Sequence, residues 1–237
     1  DSYETFRSLQ LANAVPVPGY YRHMAPINRS GPRVFGEPPR PPLLASAGLS
    51  QLLAAGTHVV DTRTRFDHAA AHVAGSVGIE DGESLLAYVG WLLPFNAPLA
   101  LVTYGPEPAD RLTTDLFRIG YEEVRGYLPF DRWDGQRPAA LAVVTQEEAA
   151  HILETGRVPV VDVRFAYEQD LEPLPGALRR PIETITAWAE TLGDERVLLV
   201  CASGQRATMA GSLLQARGRD VAVLADGGAS DIRRILG

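Results

Sequence analysis

Apolar positions in this chain fall into short continuous runs rather than strict alternations. Val59-Val60, Pro98 to Thr103, Val160-Val161 and Arg196 to Val200 are Val/Leu-rich and strand-length. Such runs are expected of strands covered by helices on both faces of a parallel sheet. Between them lie helix-like stretches: Ala47 to Ala55, Ala109 to Ile119, Gln146 to Glu154 and Arg206 to Ala216. The second and last read as amphipathic and lead to Gly120 and Gly218, each able to supply a left-handed helix cap. Thr145 with Glu148 three residues on predicts a capping-box start for the third.

The pattern occurs twice. VVDTRTRFDHAAAHVAGSV (Val59 to Val77) lies alongside VVDVRFAYEQDLEPLPGAL (Val160 to Leu178), with the two copies 101 positions apart. Each reads as helix, buried strand, helical connection, buried strand, helix and short strand, which predicts two open α/β units. The boundary is expected near Arg137-Pro138, giving units over 45–137 and 138–237. Residues 1–44 differ: Pro16, Pro18, Pro26, Pro32, Pro38, Pro39, Pro41 and Pro42 are too dense for sustained helix or strand. That segment is expected to be a linker laid over the first unit, with YETFRSLQLAN able to form a short helix.

Composition narrows the function classes. The 237 residues suffice for two domains, and a net charge of −7 argues against nucleic acid and anionic membrane as partners. No apolar run reaches membrane-spanning length, and the first ten residues lack the order of a secretory signal. The absence of an initiator Met raises the expectation of trimming, cloning or removal of an upstream domain. The single cysteine excludes an internal disulfide and a thiolate-rich zinc site, and a free thiol predicts the reducing cytoplasm.

That cysteine is the main chemical signal. In VLLVCASGQRATMAGSLLQARG the buried strand ends at Val200 and Cys201 follows at once, at the carboxyl edge where open α/β sheets place their sites. Ala202, Ser203, Gly204 and Gln205 form a loop into a helix expected to begin near Arg206 or Ala207. Gly204 lets backbone N–H groups point inward as an anion nest, and the helix N-terminus adds its positive end. Arg206 is placed to close the ring or to hold an anionic donor. Such a cradle favours the thiolate and would stabilise a Cys–S–S⁻ anion without metal or organic cofactor. A lone cysteine after an apolar strand is more often a small core residue. The Cys-x-x-Gly-x-Arg loop inside a repeated α/β unit reverses that balance.

Both halves resemble rhodanese domains, over about Ala45 to the C-terminus. Asp61-Thr62-Arg63 with Ala71-His72-Val73-Ala74-Gly75-Ser76 is similar to the family's Asp-x-Arg and Gly-His-x-x-Gly-Ala elements. Asp162-Val163-Arg164 with Leu174-Pro175-Gly176-Ala177 resembles them again, and Cys201 to Arg206 supplies the active-site loop. The resemblance implies tandem, mainly parallel open sheets with helices on both faces. It also implies that Cys201 is a sulfur-carrying nucleophile and that Ala202 to Arg206 bind the persulfide. The donor would be thiosulfate or a small persulfide, and the acceptor a thiol or cyanide. A six-residue loop fits sulfur; related phosphatases carry one residue more. The first copy departs: LVTYGPEPADRL puts Thr103 or Tyr104 where the nucleophile belongs, with Pro106 and Pro108 lacking N–H donors and Glu107 and Asp110 adding negative charge. That copy is expected to be inactive. In the second copy, the equivalent of His72 is Leu171, Glu172 or Pro173.

PGYYRHMAPINRSGP is similar to the segment joining a metallo-β-lactamase-like domain to rhodanese repeats in persulfide dioxygenase fusions. This resemblance implies an upstream metal domain, since no His-x-His-x-Asp-His run is present. His68 and His72, four apart, lack an evident third ligand and predict packing roles. Asp61 and Asp162 are read as structural partners of Arg63 and Arg164, and the tryptophans as core or interdomain anchors. The rival readings are a non-catalytic rhodanese docking module and, disfavoured by loop length, a Cys-based phosphatase or arsenate reductase.

Overall fold

The computed structural model describes residues 2–12, 17–34 and 36–237; Pro16 of the proline-rich segment lies outside them. That segment contributes helices α1 (Tyr3–Ala12) and α2 (Tyr21–Ser30). The expectation that prolines would prevent a sustained helix is corrected by α2, which runs through Pro26. Packing around its N-terminal turn offsets the missing backbone bond. His23 stacks on Phe95 at 4.0 Å, the Gly19 N–H donates to Gly90 O at 2.9 Å, and the Tyr20 ring fills the space a Cβ at Gly90 would need.

The first sheet is built from α3 (Ser46–Ala54), β1 (His58–Asp61), α4 (Arg65–Ala70), β2 (Val77–Gly78), α5 (Leu85–Leu92), β3 (Leu99–Thr103), α6 (Pro106–Arg118) and β4 (Val124–Pro129). Its strands are parallel in the order β2-β1-β3-β4. The second contains β5 (Ala142–Val143), α7 (Gln146–Thr155), β6 (Val160–Asp162), α8 (Ala166–Leu171), β7 (Leu178–Arg179), α9 (Ile185–Trp188), β8 (Val197–Val200), α10 (Gln205–Ala216), β9 (Val221–Val223) and α11 (Ala229–Leu236). Its order is β5-β9-β8-β6-β7, again all parallel. Read from the other edge, β7-β6-β8-β9 repeats the order β2-β1-β3-β4. Where β5 extends the second sheet, the first has a single parallel bridge from Leu43 to Tyr127.

Every residue of β3 and β8 is buried, as continuous apolar strands between helix layers should be. The capping box at Thr145 and Glu148 is formed, and Gly120 and Gly218 have φ of +86° and +79°. Each Asp-x-Arg element folds into a buried ion pair. Arg63 donates through Nε and Nη2 to Asp61 (3.0 and 2.6 Å), and Arg164 does the same to Asp162. The same arginines donate onward to Ala71 O and Glu172 O, so Ala71 corresponds to Glu172 and His72 to Pro173.

One expectation about pattern is corrected. Helix α10 is not amphipathic: Arg206 to Leu214 are all buried, because one side meets its own sheet and another meets the first unit. There Ser212 Oγ accepts the Gly78 N–H at 2.9 Å, and Gln215 Oε1 bonds His72 Nε2 at 2.9 Å. The apolar core continues between the units through Tyr88, Ile182, Ile185 and Leu213.

His72 makes this junction sensitive to acid. Burial, then the neighbouring His68, lower its pKa from 6.5 to about 4, while bonds to His68 O and Gln215 oppose the shift. Between those values the unfolded chain binds more protons than the folded one, so stability is lost as pH falls through that window. Chemical denaturation from pH 7 to pH 4 should show a loss on the order of 2 kcal/mol that His72→Gln flattens. An equally steep loss in the variant would assign the effect elsewhere.

Candidate functional site

Strand β8 delivers Cys201 to the carboxyl edge of the second sheet, and α10 begins four residues later at Gln205. The Cys201 side chain is fully buried, and its Sγ accepts the Gly204 N–H at 3.1 Å. Gly204 turns the chain with φ +88°, a conformation that only glycine adopts readily. Its Cα also faces the backbone of Ala225 so closely that an added Cβ would lie 1.9 Å from that carbonyl oxygen. Arg65 of the first unit donates to the same oxygen at 3.1 Å.

A second glycine closes the loop from below. A Cβ on Gly228 would meet Ala202 O at 2.2 Å, and the Ala229 N–H donates to Cys201 O at 2.8 Å. Nothing in the spacing of Asp226-Gly227-Gly228 signals this approach to a loop 26 residues away. Ala202 and Ser203 are exposed, while Gln205 is half-buried at the first helical position.

Arg206 is buried, but it is not left open to an anion. Its Nη1 donates to Glu168 Oε2, its Nη2 donates to Glu168 Oε1 at 2.9 Å, and its guanidinium lies 4.8 Å from the Phe165 ring centre. Burial alone would raise the Glu168 pKa, yet the hydrogen bonds and charge of Arg206 prevail and hold it below the ordinary carboxylate value. Burial works against the Arg206 charge, but Glu168 and then nearby Cys201 hold the guanidinium firmly protonated. Glu168 escaped the sequence reading because it lies on α8, 38 residues from its partner.

The first unit reaches this neighbourhood through α5. Burial pushes the Tyr88 phenol up to about 12, opposed by the charge of Arg206 and reinforced by Cys201, Glu168 and Glu183. Trp91 stands edge-on to both Tyr88 and Phe165, at 5.5 and 5.4 Å, and so joins the two units as an anchor. Burial raises the Glu183 pKa, and its Oε2 is buried without a hydrogen-bond partner among the described residues.

In the first unit, Asp61 pairs with Val102 as Asp162 pairs with Val200, so Thr103 rather than Tyr104 stands at the position of Cys201. Thr103 Oγ1 donates to Gly105 O at 2.8 Å, and helix α6 starts directly at Pro106. His68 and His72 stack at 4.1 Å, with His68 bonded to Asp61, and the described residues contain no group of three or more potential metal ligands. No helix among those residues is long and apolar enough to cross a membrane.

Residues 145–234 match the family model described as the rhodanese-like domain, and through this half the chain belongs to that family. Among solved structures, a rhodanese-like domain protein from Staphylococcus aureus is 31% identical, covering 39% of this chain and 91% of its own, with a TM-score of 0.36. A thiosulfate sulfurtransferase from Pseudomonas aeruginosa is 20% identical over 78% of this chain, with a TM-score of 0.37; the match spans 41% of its length. A metallo-beta-lactamase from Staphylococcus aureus subsp. aureus COL is 20% identical over 54% of this chain and 34% of its own, with a TM-score of 0.46. No curated protein matches the chain.

Proposed function

We propose that the chain is a sulfurtransferase that carries sulfane sulfur on Cys201. The supporting observation is the seat of that thiol: at the end of β8, against the Gly204 N–H, and at the start of α10. The thiolate attacks the donor's sulfane sulfur. A new S–S bond forms on Cys201, and the donor's bond to that sulfur breaks with its electron pair leaving on sulfite or a thiolate. An acceptor thiolate or cyanide then attacks the outer sulfur and releases Cys201 as thiolate. Ala202 to Arg206 surround the terminal sulfur in this reading, and no metal or organic cofactor is required.

Residues 138–237 form the catalytic rhodanese-like domain. Residues 45–137 form an inactive relative that braces it through Arg65, Gly78, His72 and Tyr88. Residues 1–44 join these domains to an upstream metallo-β-lactamase-like domain, a reading that rests on the likeness of the segment from Pro18 to Pro32. The single free thiol suits the cytoplasm.

Intact-protein mass spectrometry after incubation with thiosulfate, or with glutathione persulfide, tests the proposal. The expected result is a gain of one sulfur atom, mapped to Cys201 and removed by cyanide. The complete burial of Cys201 favours a second reading, a non-catalytic docking module. Folded protein that gains no sulfur from either donor would establish that alternative.

A further inference from the structure

The sequence places Arg206 as a fork for an anionic donor, and the fold gives that fork to Glu168. We propose, building on the sulfurtransferase reading, that Glu168 makes the Cys201 site select sulfane sulfur leaving from an uncharged thiol carrier over the thiosulfate dianion.

Both terminal nitrogens of Arg206 are spent on the two oxygens of one carboxylate. A bidentate pair of this kind satisfies the geometry with which a guanidinium would grip sulfonate oxygens. The pair sits in a largely buried setting, with Arg206 and Glu168 side chains 10% and 21% exposed, so solvent screens it less than a surface pair.

The arginines that line or border the adjoining cleft are themselves paired. The small cleft beside Ala202, about 120 Å³, is lined by Arg164, Glu168, Leu171, Glu172 and Ser230. Arg164 is itself forked onto Asp162 and donates its remaining contact to Glu172 O. Glu172 pairs outward with Arg233 at 2.5 Å. Glu183 adds another carboxyl to the electrostatic neighbourhood of Arg206. Arg180, one residue beyond β7, makes no ion pair among the described residues, but its Nη1 donates to Arg179 O at 3.1 Å.

The two donors make different demands on this setting. With thiosulfate, the Cys201 thiolate bonds the sulfane sulfur while the S–S bond breaks toward sulfite. One negative charge stays on the persulfide and two depart on sulfite, all beside the Glu168 carboxylate. With a protonated persulfide R–S–SH, the thiolate bonds the terminal sulfur, which keeps its proton. The S–S bond to that sulfur breaks, and a single charge leaves on RS⁻. The second path places two fewer negative charges at the site, so Glu168 penalises the first more heavily.

Glu168→Gln uncovers the Arg206 charge while its amide oxygen can still accept the Phe165 N–H that Glu168 now receives at 3.0 Å. The test compares initial rates of sulfur loading on Cys201, by quenched intact-mass spectrometry, from thiosulfate and from the persulfide of N-acetylcysteine methyl ester. The wild-type chain should load from the persulfide at least about tenfold faster, and the variant should shift the ratio toward thiosulfate by about tenfold. Equal wild-type rates, as an available Arg180 would produce, overturn the proposal whether or not the variant folds. A ratio unchanged in folded Glu168→Gln also overturns it, while loading from either donor leaves the sulfurtransferase reading standing. No loading of wild type by either donor instead removes that reading, and this inference with it.

Discussion

A Cys201→Ser variant is expected to take up no sulfur from any donor while melting close to the parent. The Sγ is buried and accepts one backbone N–H, from Gly204 at 3.1 Å. A serine hydroxyl can accept the same N–H, so the replacement leaves no orphaned donor, and the cost should stay within about 1–2 kcal/mol. The chemical loss is of another order. A hydroxyl is not ionised near neutrality and forms no stable bond to sulfane sulfur, so loading and turnover should fall by more than about 10³-fold. Intact mass after donor treatment, together with a thermal melt, separates the two effects. Residual turnover in the folded variant would place the nucleophile elsewhere and sink the mechanism.

Gly204→Ala should damage both stability and chemistry. Two independent constraints meet at that residue. Its φ of +88° costs an L-residue roughly 1–2 kcal/mol, and its new Cβ would lie 1.9 Å from Ala225 O. The obstacle is backbone, held in turn by the Arg65 guanidinium at 3.1 Å, so it cannot swing aside as a side-chain tip would. A destabilisation of about 3 kcal/mol or more is expected in urea melts. The displaced loop also withdraws the Gly204 N–H from Cys201, and sulfur loading should slow at least about tenfold. Gly218→Ala is the matched control. It has a similar φ of +79° with no described residue near the added Cβ, so it should cost only about 1 kcal/mol and leave loading unchanged. Equal losses in the two variants would show that the contact with Ala225 does not hold the loop.

Much of the architecture was legible in the chain because its signals are local or periodic. The apolar runs at Leu99–Thr103 and Val197–Val200 are strands because continuous burial leaves no polar face to mark. Thr145 and Glu148 announce the start of α7 because both partners of the capping box lie within one turn. The repeat of Asp-x-Arg predicts two equivalent corners, and each is a buried ion pair. The Cys201 loop was legible for the same reason: strand end, glycine and helix start fall within six residues. Proline density misled over α2, where packing of His23 on Phe95 and Tyr20 over Gly90 outweighs the local cost of Pro26.

By itself the sequence determined the main buried strands and flanking helices of the two α/β units, the position of the one thiol at a strand end, and the absence of a thiol at the matching place in the first unit. Those features follow from side-chain volume, backbone freedom and residue type within a few neighbouring positions. Only the tertiary structure decided that Arg206 is neutralised by Glu168, that Gly204 and Gly228 lie against backbone from another segment, and that Tyr88 of the first unit stands near the Cys201 site. It also decided that α10 is buried all round and that His72 has Pro173 as its counterpart. These outcomes depend on which distant segments the parallel crossovers bring to one sheet edge. Contacts between such segments impose no spacing on the chain that a periodic or local pattern could reveal.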